Sequence, residues 1–271
     1  MAGDDQMKSL RILLPALALA LVSVVNTAWA GPAGEITLLT GRGTATSADG
    51  AIRTLAKGDP VYSGEMINSS ASTYVNIKFA DGGFILLRPN SRFQIEKFTY
   101  VSPEDVAKKT LQPAAPIINP AGPAAASKPM APVAMEQASA SRAFFRLLKG
   151  GFRAVSGLVG HVDRNEYNVS TPVATIGIRG TDYLVVMCDM PCANDEVMER
   201  AVPQGGATGG IVVGVISGGV YVANNAGKGT ELTENQYLVN LPDGTQIRLP
   251  FEPKFLRVDP IPNPRNICSS E

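Results

Sequence analysis

The sequence predicts an all-β protein, an antiparallel sandwich or roll of many short strands with a proline-rich insertion. Three observations predict it. Glycine (27 residues) and proline (20 residues) are both abundant in the 271-residue chain, and they punctuate short apolar runs. Alternation with a period of two recurs: Val75, Ile77 and Phe79 share one face, while Asn76 and Lys78 take the other. Asp-Gly pairs, the turn chemistry of tight hairpins, stand between such runs at Asp49-Gly50, Asp81-Gly82 and Asp243-Gly244. Nothing alternates with long helical patterns, so a parallel α/β sheet is not expected.

Residues 1–30 read as an export signal. Lys8 and Arg11 precede an apolar run over residues 12–25, and small residues at Ala28 and Ala30 make an Ala-x-Ala end. The run is shorter than the roughly 18 residues of a membrane span. The alternative is an uncleaved anchor, so the chain meets a membrane only if the segment is retained. Met7-Lys8 makes a cleaner start than Met1, because Asp4 and Asp5 are unusual before such a run. The expected mature protein begins at Gly31 and is periplasmic or secreted.

Residues 31–102 form the first half of the expected β domain. Residues 36–40, 42–46, 52–55 and 61–62 read as strands divided by turns. Residues 74–79 make a half-buried strand, and Asp81-Gly82-Gly83 turns it into Phe84-Ile85-Leu86-Leu87, whose unbroken apolar run suits a central strand. Phe93 and Ile95 are expected to face in. Residues 103–141 change character, with Pro113, Pro116, Pro120, Pro123, Pro129 and Pro132 set among alanines. Such a stretch reads as an extended or flexible insertion, because few of its residues can bury.

Residues 142–249 form the second half. Gly150-Gly151 is expected to turn residues 146–149 into a hairpin with 152–155, and Gly218-Gly219 to do the same for 211–216 and 220–222. Strands are expected at 166–170, 173–178, 182–188, 236–240 and 246–249. Residues 250–271, with five prolines, read as an extended tail.

Composition narrows the function. Lys+Arg and Asp+Glu are both 24, so no basic excess points to nucleic acid. His161 is the single histidine; a His-rich metal site, an HExxH helix and a Gly-x-Ser-x-Gly elbow are all missing from the sequence. No catalytic, cofactor-binding or metal-ligating residue is assigned, no cofactor is expected, and the chain is read as not an enzyme. Export permits disulfides. Cys188 and Cys192 are either bridged across a tight loop or two free thiols, with Cys268 left over.

The least ordinary stretch is 168–183, where Arg179 and Asp182 interrupt a β-branched run between Gly177 and Gly180. The candidate partner or structural site is the bend Arg179, Gly180, Thr181 and Asp182. Its two charges either offer a polar site or pair with each other and hold the bend, since buried charges need partners.

The ordered motifs resemble the FecR family. They are Lys57-Gly58-Asp59-Pro60-Val61-Tyr62-Ser63-Gly64, Ala80-Asp81-Gly82-Gly83-Phe84-Ile85-Leu86-Leu87-Arg88-Pro89-Asn90-Ser91, Leu147-Leu148-Lys149-Gly150-Gly151-Phe152-Arg153-Ala154-Val155, residues 169–183 and Val215-Ile216-Ser217-Gly218-Gly219-Val220-Tyr221-Val222. The resemblance implies a periplasmic β domain that, in the best-known members, relays an outer-membrane receptor's state to a cytoplasmic sigma factor. Two departures stand out: only about ten residues precede the apolar run, too few for a folded sigma-binding module, and the proline-rich insertion divides the domain. The expected function is therefore a non-enzymatic protein-binding or scaffold module of the cell envelope. The alternative is a membrane-anchored envelope signal transducer regulating a sigma factor. The expected partner is an envelope protein, met at sheet edges and at the bend.

Overall fold

The computed structural model describes residues 31–102, 141–162, 164–189, 192, 194–202 and 207–257. The export segment, the proline-rich insertion and the tail beyond residue 257 lie outside the described residues. Among the described residues sixteen strands join in one curled, mixed sheet, so the all-β class holds. The strands are β1 (Gly34–Leu39), β2 (Gly43–Thr46), β3 (Ile52–Thr54), β4 (Pro60–Val61), β5 (Met66–Ser69), β6 (Val75–Phe79), β7 (Phe84–Leu87) and β8 (Arg92–Thr99). They continue with β9 (Arg142–Lys149), β10 (Gly151–Val155), β11 (Tyr167–Ser170), β12 (Ala174–Met187), β13 (Ile211–Asn224), β14 (Gly229–Thr233), β15 (Tyr237–Asn240) and β16 (Gln246–Leu249). Pairing is antiparallel except between β9 and β11, which run parallel.

Two long strands organise the rest. β12 pairs with β13 along nearly its whole length. On its other edge, the first half of β12 pairs with β11 and the second half with β10. β13 divides in the same way, pairing β14 with one half and β15 with the other. The sheet therefore forks into two layers that share β12 and β13. One layer runs β3-β2-β5-β8-β9-β11 into the shared pair and out to β14. The other runs β4-β1-β6-β7-β10 into the same pair and out to β15-β16.

The layers face each other across one apolar core. Alternation sends Ile36, Ile67, Ile77, Phe93, Phe145, Phe152, Ile176 and Val213 inward from both. Aromatic rings cross the gap: Phe79 lies 5.1 Å from Phe98 and from Phe145, and Phe93 lies 5.5 Å from Phe152. Each such pair contributes about 0.5–1.5 kcal/mol beyond its buried area. A second, smaller core covers the outer face of the second layer. There Val186, Val212, Val239 and Leu249 pack against Met198, Val202 and Leu256. The covering elements are two short helices, α2 (Glu196–Ala201) and α3 (Lys254–Arg257), while α1 (Val159–Val162) lies beside the fork.

The hairpins at Asp49-Gly50, Asp81-Gly82 and Asp243-Gly244 are present, joining β2 to β3, β6 to β7 and β15 to β16. Two other expected hairpins are not. β9 and β10 do not pair; β9 lies between β8 and β11, whereas β10 lies between β7 and β12. The chain changes layer at Gly150 (φ +75°) instead of turning back. Residues 211–224 form one strand, and Gly218 (φ +87°) bends it without reversing it. The tail is also not extended from its start, since Lys254–Arg257 is helical.

Candidate functional site

The bend at 179–182 is the point where the two layers diverge. β12 does not break there. It carries a bulge, with the register to β13 shifting between Arg179 and Asp182 and again before Tyr183. A bulge adds a residue to one strand and sharpens its local twist, which lets one strand serve two layers. Gly180 takes φ +59°, and Gly218 opposes it at φ +87°. A Cβ on Gly218 would lie 2.4 Å from the Gly180 carbonyl oxygen, so the backbones meet where only glycine fits.

Polar side chains hold the fork. Asp182, with its side chain 1% exposed, accepts from Arg153 Nε and Nη2 on β10, both at 3.0 Å. This two-point geometry matches guanidinium to carboxylate and fixes both orientations. Of the alternatives the sequence leaves open, the carboxylate is held not by Arg179 within the bend but by Arg153 on the neighbouring strand. Thr181 is buried and makes four hydrogen bonds. Its N–H donates to Ser156 Oγ (2.8 Å) and its carbonyl accepts from Ser156 N–H (2.9 Å). Its hydroxyl donates to the Gly219 carbonyl (2.7 Å) and accepts from Arg179 N–H (3.3 Å).

The loop from Ser156 to α1 closes over the bulge. Asp81, in the β6–β7 turn, anchors it: Oδ1 accepts from Gly83 N–H (3.0 Å), Oδ2 from Val159 N–H (3.2 Å), and its carbonyl from Leu158 N–H (3.0 Å). Burial pushes the Asp81 carboxyl above the usual carboxylate range, against the pull of those two side-chain bonds. Behind the bulge, the Tyr167 and Tyr183 hydroxyls meet at 3.2 Å in the core, and burial pushes both phenols well up. In front of it the surface shows Arg179, His161 and Leu158, the last 55% exposed. The His161 ring lies over Gly180, where a Cβ would come within 2.7 Å of Nδ1. The Arg179 side chain forms no hydrogen bond or ion pair among the described residues.

Cys188 and Cys192 form a disulfide at the far end of β12. Both are buried in the second core, beside Asp195, which caps α2 by accepting from Val197 N–H (2.9 Å) and also holds Lys254 N–H (2.7 Å). Cys268 lies outside the described residues. Among the described residues, no three His, Cys, Asp or Glu side chains gather as a metal-ligand set. No described helix is long and apolar enough to cross a membrane. Arg153, Ser156 and Asp81 escaped the sequence reading. Their one signal is a polar side chain in or beside an apolar strand, and nothing in it names the partner 25 to 78 positions away.

The layers' outer edges are engaged. Arg53 on β3 reaches across to the other layer and donates to the Pro60 carbonyl of β4 (2.6 Å). On the opposite side Arg248 of β16 donates to the Glu231 carbonyl of β14 (2.7 Å). Both open sides of the sandwich are stitched by an arginine. β3 and β4 are only three and two residues long, and β4 starts at a proline, features that blunt an edge against further strands.

No family model and no curated relative matches this chain. Among solved structures it is similar to a candidate anti-sigma factor from Parabacteroides distasonis ATCC 8503, in crystals at 1.65 and 2.50 Å. Each superposes with a TM-score of 0.40 at 13% identity, over 71% of this chain and 62% of that one. The chain thus spans less than two thirds of that protein's length. A cell surface anchoring domain matches at TM-score 0.23 and 35% identity, over 23% of this chain and 83% of that one.

Proposed function

We propose that this chain is an exported, non-enzymatic module of the cell envelope that binds a partner protein at the surface over the bulge. One observation carries the reading. Asp182 is consumed by Arg153 inside the fork, and Arg179, one bulge away, is exposed with no partner among the described residues. The bulge thus presents a cation beside His161 and the exposed Leu158, and arginine is among the residues enriched at binding hot spots. The stitched edges weigh against strand addition there. The buried polar groups serve the fold: Thr181, Asp182 and Asp81 all have internal partners.

The test is site-specific photocrosslinking from position 158 in the exported protein, with Arg179 native and with Arg179→Glu. A crosslinked envelope protein that is lost on charge reversal supports the reading. Unchanged crosslinking in that variant sinks it. The second reading, an anchored signal transducer regulating a sigma factor, draws on the FecR resemblance and on the apolar run at 12–25. Intact mass of the exported protein separates the two: a chain starting at Gly31 excludes direct contact with the cytoplasm.

A further inference from the structure

At the other end of β12 lies an open groove of about 390 Å³. Tyr74, Pro89, Gly150, Gly151, Met187 and Phe255 are among the residues that line it. Asp189 and Asn90 sit exposed on its rim. Arg88 fixes one wall by donating to the Phe255 (2.8 Å) and Leu256 (3.3 Å) carbonyls at the start of the chain's exit. We propose that this groove binds an extended proline-containing peptide, and that its occupant is residues 258–265 of the same chain.

Three observations choose the occupant. Phe255 lines the groove and Val258 follows it by three residues, so the segment beyond is covalently tethered beside the groove. That segment reads Val258-Asp259-Pro260-Ile261-Pro262-Asn263-Pro264-Arg265. Alternating prolines hold themselves and their predecessors in extended or polyproline II backbone, which lowers the ordering cost of docking. Aromatic-lined grooves are how polyproline segments are recognised, and Tyr74 and Phe255 line this one. Charge fits as well, since Arg265 can meet Asp189. Attachment supplies millimolar effective concentration, so even a weak contact closes.

The groove lies eight residues along β12 from Arg179, about 26 Å in extended chain, so its fate is independent of the partner surface. The test is limited trypsin digestion of the full chain, reading cleavage after Arg265 by mass spectrometry. Met187→Glu, Tyr74→Ala and a triple Pro260→Ala, Pro262→Ala, Pro264→Ala variant are each expected to speed that cleavage about fivefold, as the open population sets the rate. The triple variant leaves the groove untouched and so guards against a misfolded wall. Added synthetic peptide 258–271, with serine for Cys268, is expected to speed cleavage of the native chain. Equal rates in native and all variant proteins overturn the proposal. Protection that disappears on dilution overturns it too, since the occupant is then a second copy's tail.

Discussion

The two open sides of the sandwich are closed by the same device with different support. Arg53 sits in a web of charge. Its guanidinium meets the Glu65 carboxylate at 3.0–3.2 Å, with Asp59 at 3.7 Å, before it reaches the Pro60 carbonyl. Glu65 is itself 7% exposed at the side chain and also accepts from Tyr62 N–H (2.9 Å). Arg248 is exposed and is steadied by a neutral group, Gln236 Oε1 at 2.7 Å. The first stitch is therefore built into the fold, and the second is closer to a latch. A carboxylate withdrawn from water makes its arginine indispensable, whereas a solvated contact contributes little.

Arg53→Ala is the largest break of that contrast. It leaves Glu65 shielded from water with its main partner gone and is expected to cost about 3 kcal/mol by urea denaturation. Adding Glu65→Gln should recover more than half of the loss. A double variant no better than the single one would show that the burial of Glu65 is not the cause.

The disulfide end gives a second, smaller effect. Removing the five-residue loop closure with a Cys188→Ser, Cys192→Ser pair should cost about 2 kcal/mol on loop-entropy grounds. Hydrogen exchange should rise in α2 and in the 207–212 segment, because the bridge belongs to the second core. Exchange that rises equally in β8 and β9 would mean that the two cores do not open separately.

Asp81 sharpens the comparison through pH. Its folded pKa is raised above 3.8 by burial, so the native state holds the proton more tightly than the unfolded state. Stability from this group is then present below pH 3.8 and is lost as pH rises through the folded value. Asp81→Asn abolishes that slope. Denaturation between pH 3.5 and 6 should show the native protein losing stability relative to the variant as pH increases; the exposed carboxylates are common to both and cancel. A difference with the opposite slope would refute the assignment.

These contrasts also mark what the sequence makes legible. The Asp-Gly hairpins are visible because their turn chemistry is local: Asp49, Asp81 and Asp243 bond to backbone N–H groups two residues on. Gly150 and Gly218 look alike in sequence but do other work. Whether a strand folds back or crosses to another layer depends on distant pairing, such as Phe152 with Leu87, which local patterning does not encode. The bend is visible for a similar reason in reverse. Charges in an apolar run announce that something is held there, and Arg153, which holds it, lies 29 residues away. Helices α2 and α3 are too short to show a helical period, so the second core stays hidden as well.

Arg248→Ala and Arg179→Glu close the series, and their effects are expected to be small in different ways. Arg248→Ala should cost about 0.5–1 kcal/mol, as an exposed contact does. It also removes one of the contacts that join β14 to β16, so light scattering should show more self-association. Arg179→Glu should leave the melting curve unchanged, because its side chain supports nothing among the described residues. Its effect belongs to binding alone. A melting temperature that falls as far as it does for Arg53→Ala would place Arg179 inside the framework of the fork, and the surface over the bulge would lose its claim to a partner.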